Sequence, residues 1–242
     1  MRTDSAPITT LIFDYGNTLI EFGRTQVDFC DARLAEELQR IYGPHDSARF
    51  RQMRDRNRLS PYQGDHREQD LREIAEEWVA DLYGQRSDRE HIDALLKVRF
   101  ASLVDAIRAP DYLHDLLRRL QGKFRLGLLS NYPDGPAIRA SLKRIGIEEF
   151  FSGIVVSGEV GYVKPHPVPF QEILKQLGAS PAESVLIGDN WLGDIQGAKR
   201  LGLRAIHTRQ FVPYEIFDRQ AGDHEADGVI EHLLELEKEV LR

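Results

Sequence analysis

Four apolar stretches of this sequence each lead to a polar side chain that can do chemistry. Three of these side chains follow their apolar run directly, and the fourth comes after a loop. The set contains carboxylates, an ammonium group and a hydroxyl, which can bind hard metal ions, neutralise anions or act as nucleophiles. They are Asp14, Ser130 with its neighbour Asn131, Lys164 and Asp189.

The segments that carry these side chains are predicted to alternate between strand and helix. The predicted strands cover residues 8–13, 124–131, 152–158, 184–189 and 203–208, and a last short strand followed by a helix lies within 227–241. The predicted helices between them cover residues 135–146, 168–178 and 192–202. Such alternation predicts parallel strands with right-handed crossovers in an open, Rossmann-like α/β sheet. Ligands bind beyond the carboxyl ends of such strands, so we expect the four side chains to meet at one sheet edge.

The sequence between the first two strands differs in composition and in the spacing of its apolar residues. Residues 24–108 are rich in Arg, Glu, Asp, Leu and Ala, with apolar residues spaced about 3.6 apart. Turn-forming breaks divide this stretch into four predicted helices, which favours a small helical bundle. The breaks lie at residues 42–46, 59–65 and 83–88. We therefore expect an α/β core domain of residues 1–20 and 109–242, with a helical domain of residues 21–108 inserted after the first strand.

Composition excludes several classes of protein. The chain has 242 residues, of which 41% are hydrophobic and 29% charged, and its formal net charge is −7. This acidic balance argues against nucleic-acid binding, although a metal and a local basic residue can still hold a small anion. The single cysteine, Cys30, allows no intramolecular disulfide, and no apolar run reaches the ~18 residues of a membrane span. We expect a cytoplasmic protein without a membrane partner, and leave its oligomeric state open.

Four ordered motifs carry a resemblance to a known family. "LIFDYGNTL", "LLSN", "VKPHP" and "VLIGDNWLGD" are similar to the four motifs of the haloacid dehalogenase-like hydrolase superfamily. The helical insertion resembles that superfamily's cap of the first type. The resemblance implies a Mg²⁺-dependent phosphohydrolase that acts on a small phosphorylated metabolite.

The resemblance gives each matched residue an expected role. Asp14 corresponds to the nucleophile, which forms an aspartyl-phosphate that water then hydrolyses. Lys164 corresponds to the lysine that offsets negative charge. Thr18 and Ser130 correspond to residues whose hydroxyls bind phosphate oxygens. Backbone N–H groups near Asn131 are expected to complete this cradle.

An expected magnesium site follows from the first and last motifs. "GDNWLGD" places Asp189 and Asp194 on either side of a strand-to-helix junction. Hard oxygen ligands at such a position suit Mg²⁺. The resemblance implies that Asp189 binds the metal directly, together with Asp14 and the backbone carbonyl of Gly16, and that Asp194 lies farther from it.

Gly16 is where the sequence departs from the family. Most phosphatases of the superfamily have a second aspartate here, which serves as general acid and base. Without this general acid and base the rate is expected to be about 10²–10⁴-fold lower, chiefly for leaving groups that need a proton. Acyl, aryl and anomeric sugar phosphates need it least. Side chains of the helical insertion are candidates to replace it: Tyr62, His66 and His91.

The missing acid keeps alternatives open. One is a regulatory protein that binds phosphate without efficient turnover. Another is a halide-removing enzyme, but in the superfamily's dehalogenases the position of Gly16 is aromatic and no metal is used, whereas this chain retains Asp189 and Asp194. A phosphonate-cleaving enzyme would need a lysine in the helical insertion, where only the poorly matched Lys97 is available.

Overall fold

The structure is a computed structural model that describes residues 7–212 and 219–240. Within these residues six strands form one parallel sheet in the order β3-β2-β1-β4-β5-β6. The strands are β1 (Thr10–Phe13), β2 (Arg125–Ser130), β3 (Gly153–Val156), β4 (Ser184–Gly188), β5 (Arg204–Thr208) and β6 (Gly228–Ile230). The predicted open α/β sheet is confirmed. Residues 1–6 of the predicted core and Leu241 at the end of the last predicted helix lie outside the described residues.

Four longer helices follow β1, and the predicted breaks separate them. They are α1 (Arg24–Tyr42), α2 (Ser47–Leu59), α3 (Leu71–Tyr83) and α4 (Arg89–Ala106). Asp46, Asp70 and Asp88 cap the last three by accepting hydrogen bonds from the first free N–H groups. These helices bury an apolar cluster of their own that includes Leu38, Phe50 and Trp78. The division of the chain into two domains stays a prediction.

The remaining helices cover the two faces of the sheet. They are α5 (Leu113–Gln121), α6 (Gly135–Arg144), α7 (Ser157–Val160), α8 (Pro167–Leu177), α9 (Gly197–Arg200) and α10 (Leu236–Val240). In β1, Leu11 and Phe13 pack with α5 and α6, whereas Ile12 packs with α8 on the opposite face. Both faces are therefore buried, which explains why the strand is a continuous apolar run.

The segment after β4 differs from the predicted regular helix over residues 192–202. Residues Trp191–Gln196 form a π-helical turn before α9. The carbonyl of Asn190 accepts from both Asp194 N (2.8 Å) and Ile195 N (3.3 Å), which widens the turn. Such wide turns are frequent at functional sites, and this one turns Asp194 back toward the sheet edge.

A short backbone ladder joins the helical segment to the core. Glu68 N donates to Gly161 O, and Val163 N donates to His66 O, each at 2.9 Å. The Glu68 carboxylate also accepts from the hydroxyl of Ser157. We call residues 66–68 and 161–163 the strap. The strap therefore joins the helical segment to the core at the residues that directly precede Lys164 in the sequence.

In the parts of the chain that the structure describes, no helix is both long and apolar enough to cross a membrane.

Candidate active site

The turn after β1 sets the position of Asp14. Asp14 N donates to Ile187 O of β4 at 2.9 Å, which extends the sheet pairing to the carboxylate. Asn17 adopts φ 57°, a left-handed conformation that asparagine tolerates better than most residues. Its N–H donates to Ile20 O at 2.7 Å, and its Oδ1 accepts from Phe22 N at 3.0 Å. The turn thus closes on itself and leaves Asp14 at the lip of a cleft.

Lys164 is the hub of the site. Its Nζ lies 2.7 Å from Asp14 Oδ1 and 2.6 Å from Asp194 Oδ1, and it donates to Leu129 O at 2.7 Å. Only 3% of its side chain is exposed. A buried ammonium is costly unless it is paired, and here three oxygens surround it. The three predicted residues Asp14, Lys164 and Asp194 are therefore in direct contact.

Asn131 holds the backbone of Lys164 in place. Its Oδ1 accepts from Lys164 N at 2.8 Å, and its Nδ2 donates to Lys164 O at 3.0 Å. The same Nδ2 lies 3.0 Å from the hydroxyl of Tyr62 in the helical segment. The side chain of Asn131 therefore positions the lysine.

Asp194 depends on a glycine in β4. Its side chain is fully buried, and its Oδ2 accepts from Asn190 N at 3.0 Å. A Cβ added at Gly188 would lie 2.2 Å from that Oδ2. No heavy atom fits at this distance, so the absence of a side chain at position 188 lets Asp194 reach Lys164. The sequence contains this glycine immediately before Asp189, but only the structure gives its reason.

Asp189 completes a cluster of carboxylates. One oxygen each of Asp14, Asp189 and Asp194 lie within 4.8 Å of one another. Burial raises the pKa of Asp14 to about 6, although Lys164 opposes the shift. Burial and the two neighbouring carboxylates raise the pKa of Asp189 well above its usual value. Burial alone would lower the pKa of Lys164, but its two carboxylate partners outweigh that effect and raise it.

The donor set fits a divalent cation. Three carboxylates against one ammonium leave excess negative charge in a buried place, which a divalent ion would balance. The oxygens are hard ligands of the kind that Mg²⁺ prefers. Asp194 already uses both oxygens on Lys164 and Asn190. Among the described residues Asp189 has no ion pair, and nothing donates to the carbonyl of Gly16, so these oxygens are available.

The two predicted hydroxyl residues lie in different surroundings. Ser130 is at the end of β2, lines the cleft and makes no side-chain hydrogen bond within the described residues. Thr18 is fully buried and does not line the cleft, and its Oγ1 has no hydrogen-bond partner in the described part of the chain. An unpaired buried hydroxyl is unusual. Burial removes the hydrogen bonds that a polar group makes to water, and a partner in the protein normally replaces them.

One of the three candidates for a replacement acid reaches the cleft. Tyr62 lines it, but burial raises the pKa of this tyrosine to about 12. His66 adopts φ 62° in the strap and lines neither this cleft nor the cavity beside it. His91 lines neither space, and its Nδ1 lies 3.0 Å from Asp88 Oδ2. Lys97 likewise lines neither space.

The cleft has a volume of about 200 Å³ and adjoins a second cavity of about 250 Å³ under the helical segment. Arg58 lines both, and Asn57 and Arg99 line the second. Sequence reasoning missed these three residues. Arg58 and Asn57 belong to the arginine-rich stretch "RQMRDRNRL" of α2, where nothing distinguishes the inward-facing side chains from solvated ones. Arg24 and Arg67 line neither space.

Comparison with known proteins decides the family. The model of the haloacid dehalogenase-like hydrolase family matches residues 8–202. The chain belongs to this family. The haloacid dehalogenase-like fold is also seen in a 2-haloacid dehalogenase from Pseudomonas syringae pv. tomato, with a TM-score of 0.76 and 23% identity over 97% of this chain and 99% of that one.

Curated relatives match the chain over shorter stretches. A glyceraldehyde 3-phosphate phosphatase from Methanopyrus kandleri is 36% identical over 103 residues, which are 42% of this chain and 43% of the relative. A phosphoserine phosphatase from Thermus thermophilus is 40% identical over 82 residues, 34% of this chain and 32% of the relative. The chain thus matches less than half the length of either relative.

Proposed function

We propose that this haloacid dehalogenase-like protein is a Mg²⁺-dependent phosphohydrolase that acts on a small phosphorylated metabolite. The observation that carries this proposal is the contact of Lys164 with Asp14 and Asp194, beside Asp189, at the carboxyl edge of the sheet. The names of the curated relatives, which are phosphatases, support the same reaction class. A cytoplasmic location stays a prediction from the sequence.

Asp14 is the proposed nucleophile. Its carboxylate attacks phosphorus, the bond from phosphorus to the ester oxygen breaks, and an aspartyl-phosphate forms. Water then attacks this phosphorus and releases phosphate and the free carboxylate. Lys164 keeps Asp14 ionised at neutral pH and offsets charge on the transferring group. The hydroxyls of Ser130 and Thr18 are the proposed donors to phosphate oxygens, and both lack another partner among the described residues.

The proposed metal ligands are Asp14, Asp189 and the carbonyl of Gly16. Asp194 holds Lys164 behind them. When bound, Mg²⁺ would polarise the phosphoryl group and offset its negative charge. The chain's own residues provide the nucleophile, its alignment and the ammonium. A halide-removing reaction is a weaker proposal, since a three-carboxylate cluster gives a metal site that such a reaction does not need.

The first experiment is phosphate release from acetyl phosphate, an aryl phosphate and an alkyl phosphate, each with Mg²⁺ and with chelator. We expect Mg²⁺-dependent release, and a loss of about 10³-fold or more in Asp14→Asn, because the nucleophile is gone. Asp111→Asn is the matched control, since Asp111 is exposed and does not line the cleft.

Two outcomes would contradict the proposal. If chelator did not change the rate of phosphate release, the metal would have no part in the mechanism. Binding of inorganic phosphate without hydrolysis of any ester would instead favour the regulatory, phosphate-binding protein, for which Gly16 is the supporting feature.

A further inference from the structure

The second cavity is an extension of the cleft. The two spaces share five lining residues: Phe22, Arg58, Tyr62, Asn131 and Tyr132. A substrate whose phosphoryl group meets Asp14 therefore has its leaving group directed toward this cavity. An engineered cavity of about 150 Å³ with apolar walls holds benzene, so about 250 Å³ is enough for one substituted ring.

Aromatic and branched aliphatic side chains form much of the cavity wall. Phe22 and Tyr132 border it near the cleft, and Trp78 lies deeper among aliphatic neighbours such as Val27 and Ile74. Trp78 is fixed, because its Nε1 donates to Asn57 Oδ1 at 2.8 Å. A wall of this kind stabilises a flat apolar group through burial and ring contacts.

Several polar groups on this wall that lack partners are donors. An indole N–H can only donate, so the bond to Trp78 uses the oxygen of Asn57 and leaves its Nδ2 without a partner among the described residues. Arg58 has no ion pair in the described ranges. Arg99 has a buried Nε without a partner there, and its guanidinium lies 5.9 Å from the ring centroid of Tyr132.

The acids around this cavity are already engaged. Asp31 pairs with Arg54. Glu68 accepts from the hydroxyl of Ser157 through Oε2 and from Gln69 N through Oε1 at 2.9 Å. Arg58 and Arg99 are therefore left to meet an acceptor or an anion from a ligand.

The cleft itself offers a leaving group little help with protons. Outside the carboxylate cluster its titratable side chains, among the described residues, are Arg58, Lys164 and three tyrosines. Burial raises the pKa of all three tyrosines: Tyr15, Tyr62 and Tyr132. Gly16 supplies no acid. An ester turned over efficiently here must release a leaving group that departs as a stable anion.

We propose that the substrate is a phosphate ester of a phenol whose ring carries an acceptor or anionic substituent, and that the second cavity holds this ring. The inference rests on the proposed phosphohydrolase function. The ring lies against Phe22, Tyr132 and Trp78, and the substituent meets Arg58, Arg99 or the amide of Asn57. Asp14 displaces a phenolate, which takes the electron pair of the broken bond from phosphorus to oxygen and gains its proton from solvent after it leaves.

The test compares esters whose leaving groups have nearly equal acidity. Phenyl phosphate has an aromatic leaving group, and hexafluoroisopropyl phosphate has an aliphatic one of similar acidity. We expect kcat/KM to favour the phenyl ester by about tenfold or more, and 4-carboxyphenyl phosphate over phenyl phosphate by a further factor of about ten. Equal kcat/KM for the phenyl and fluoroalkyl esters would overturn the inference while leaving the phosphohydrolase proposal intact.

Variants locate the preference. Val27→Phe fills the cavity and should bring the phenyl-to-fluoroalkyl ratio close to one, whereas Val98→Phe, at a half-buried valine of α4 that lines neither space, should keep it. Arg58→Gln should lower the preference for the carboxylated ring. A ratio that Val27→Phe leaves unchanged would show that the ring lies elsewhere.

Calorimetry with 4-hydroxybenzoate, which is the leaving group alone, tests binding in the second cavity independently of hydrolysis. We expect binding that Val27→Phe weakens about tenfold or more. If no ester is hydrolysed but this binding is seen, the proposed function fails and the cavity assignment stands. If 4-hydroxybenzoate does not bind, the assignment is wrong.

Discussion

The cleft and the second cavity differ in how their charged groups are satisfied. In the cleft, Lys164 touches Asp14, Asp194 and a backbone carbonyl before any ligand arrives. In the cavity, Arg58 and Arg99 have no carboxylate partner in the described parts of the chain. The first region is therefore preorganised for one chemical step, and the second is complete only when a substrate is bound.

The difference follows from the elements that build each region. In the cleft, Asp14, Ser130 and Asp189 lie at strand ends, whose relative positions the sheet register fixes, as in the pairing of Phe13 with Ile187. The polar groups of the cavity project from the faces of α2 and α4, and these helices reach the core through the packing of α4 on α6 and through the strap. Reaction chemistry is thus tied to the backbone of the sheet, and substrate choice to the surfaces of the helices.

The largest effect is expected from breaking the hub of the cleft. Lys164→Met leaves Asp14 and Asp194 as buried carboxylates without a cation. We expect kcat to fall about 10²–10³-fold and the free energy of unfolding to fall by about 3 kcal/mol. Part of this stability should return on adding Mg²⁺, which can replace the missing positive charge. Phosphate release and urea denaturation measure both quantities.

The control for this variant is Lys143→Met on the exposed side of α6, which should change neither quantity. A Lys164→Met protein that keeps a tenth of its kcat would show that the ammonium is not part of the mechanism.

A smaller loss is expected from Gly188→Ala. The new methyl group would lie 2.2 Å from Asp194 Oδ2, so the carboxylate must move away from Lys164. A displacement of about 1 Å in such a site costs about 10²-fold in rate, measured as kcat/KM for acetyl phosphate. Gly64→Ala is the matched control, since a Cβ there meets nothing within 4 Å and should leave the rate unchanged. Equal rates in the two variants would contradict the role given to Asp194.

Gly16→Asp tests whether the missing acid makes the cleft selective. A Cβ at position 16 meets only Phe22 Cβ at 3.4 Å, which is ordinary contact, so the backbone there accepts a side chain. We expect kcat/KM for an alkyl phosphate to rise about tenfold or more relative to an aryl phosphate, since a general acid helps poor leaving groups most. The slope of rate against leaving-group acidity measures this. An unchanged slope would mean that the new carboxylate does not reach the ester oxygen.

The sheet and the carboxylate cluster were predictable from the sequence because strand ends place side chains in a regular way. The motifs around Asp14, Lys164 and Asp189 therefore indicated one site, and the structure brings all three together with Asp194. The same reasoning did not show that the side chain of Asn131 grips the backbone of Lys164. That contact depends on how two loops meet, which no local pattern encodes.

The helical segment was predictable as four helices but not as a binding surface. Its amphipathic spacing indicates which residues are buried, and Trp78 and Phe50 follow it. Arg58 does not, because a charged residue on an arginine-rich helix looks solvated until the tertiary fold places a cavity beside it. The strap was also not predictable from the sequence. Its ladder pairs residues 66–68 with 161–163, which both lie in loops, and loops lack a periodic pattern that indicates pairing.

The smallest effect is expected at Glu68, where the strap meets the second cavity. Burial raises the pKa of Glu68, so the folded protein binds its proton more tightly than the unfolded chain. Its contribution to stability is therefore fully present below the unfolded pKa and is lost as pH rises through the folded pKa.

Glu68→Gln has no carboxyl group to ionise at this position, so its stability should not fall in this way as pH rises. We expect the variant to be more stable than the parent near pH 7 by about 0.5 kcal/mol, and the gap to close below the unfolded pKa. Urea denaturation across this pH range measures it, with the exposed Glu36→Gln as control. A variant that is less stable at pH 7 would instead show that the ionised carboxylate, through its hydrogen bond with Ser157, holds the helical segment on the core.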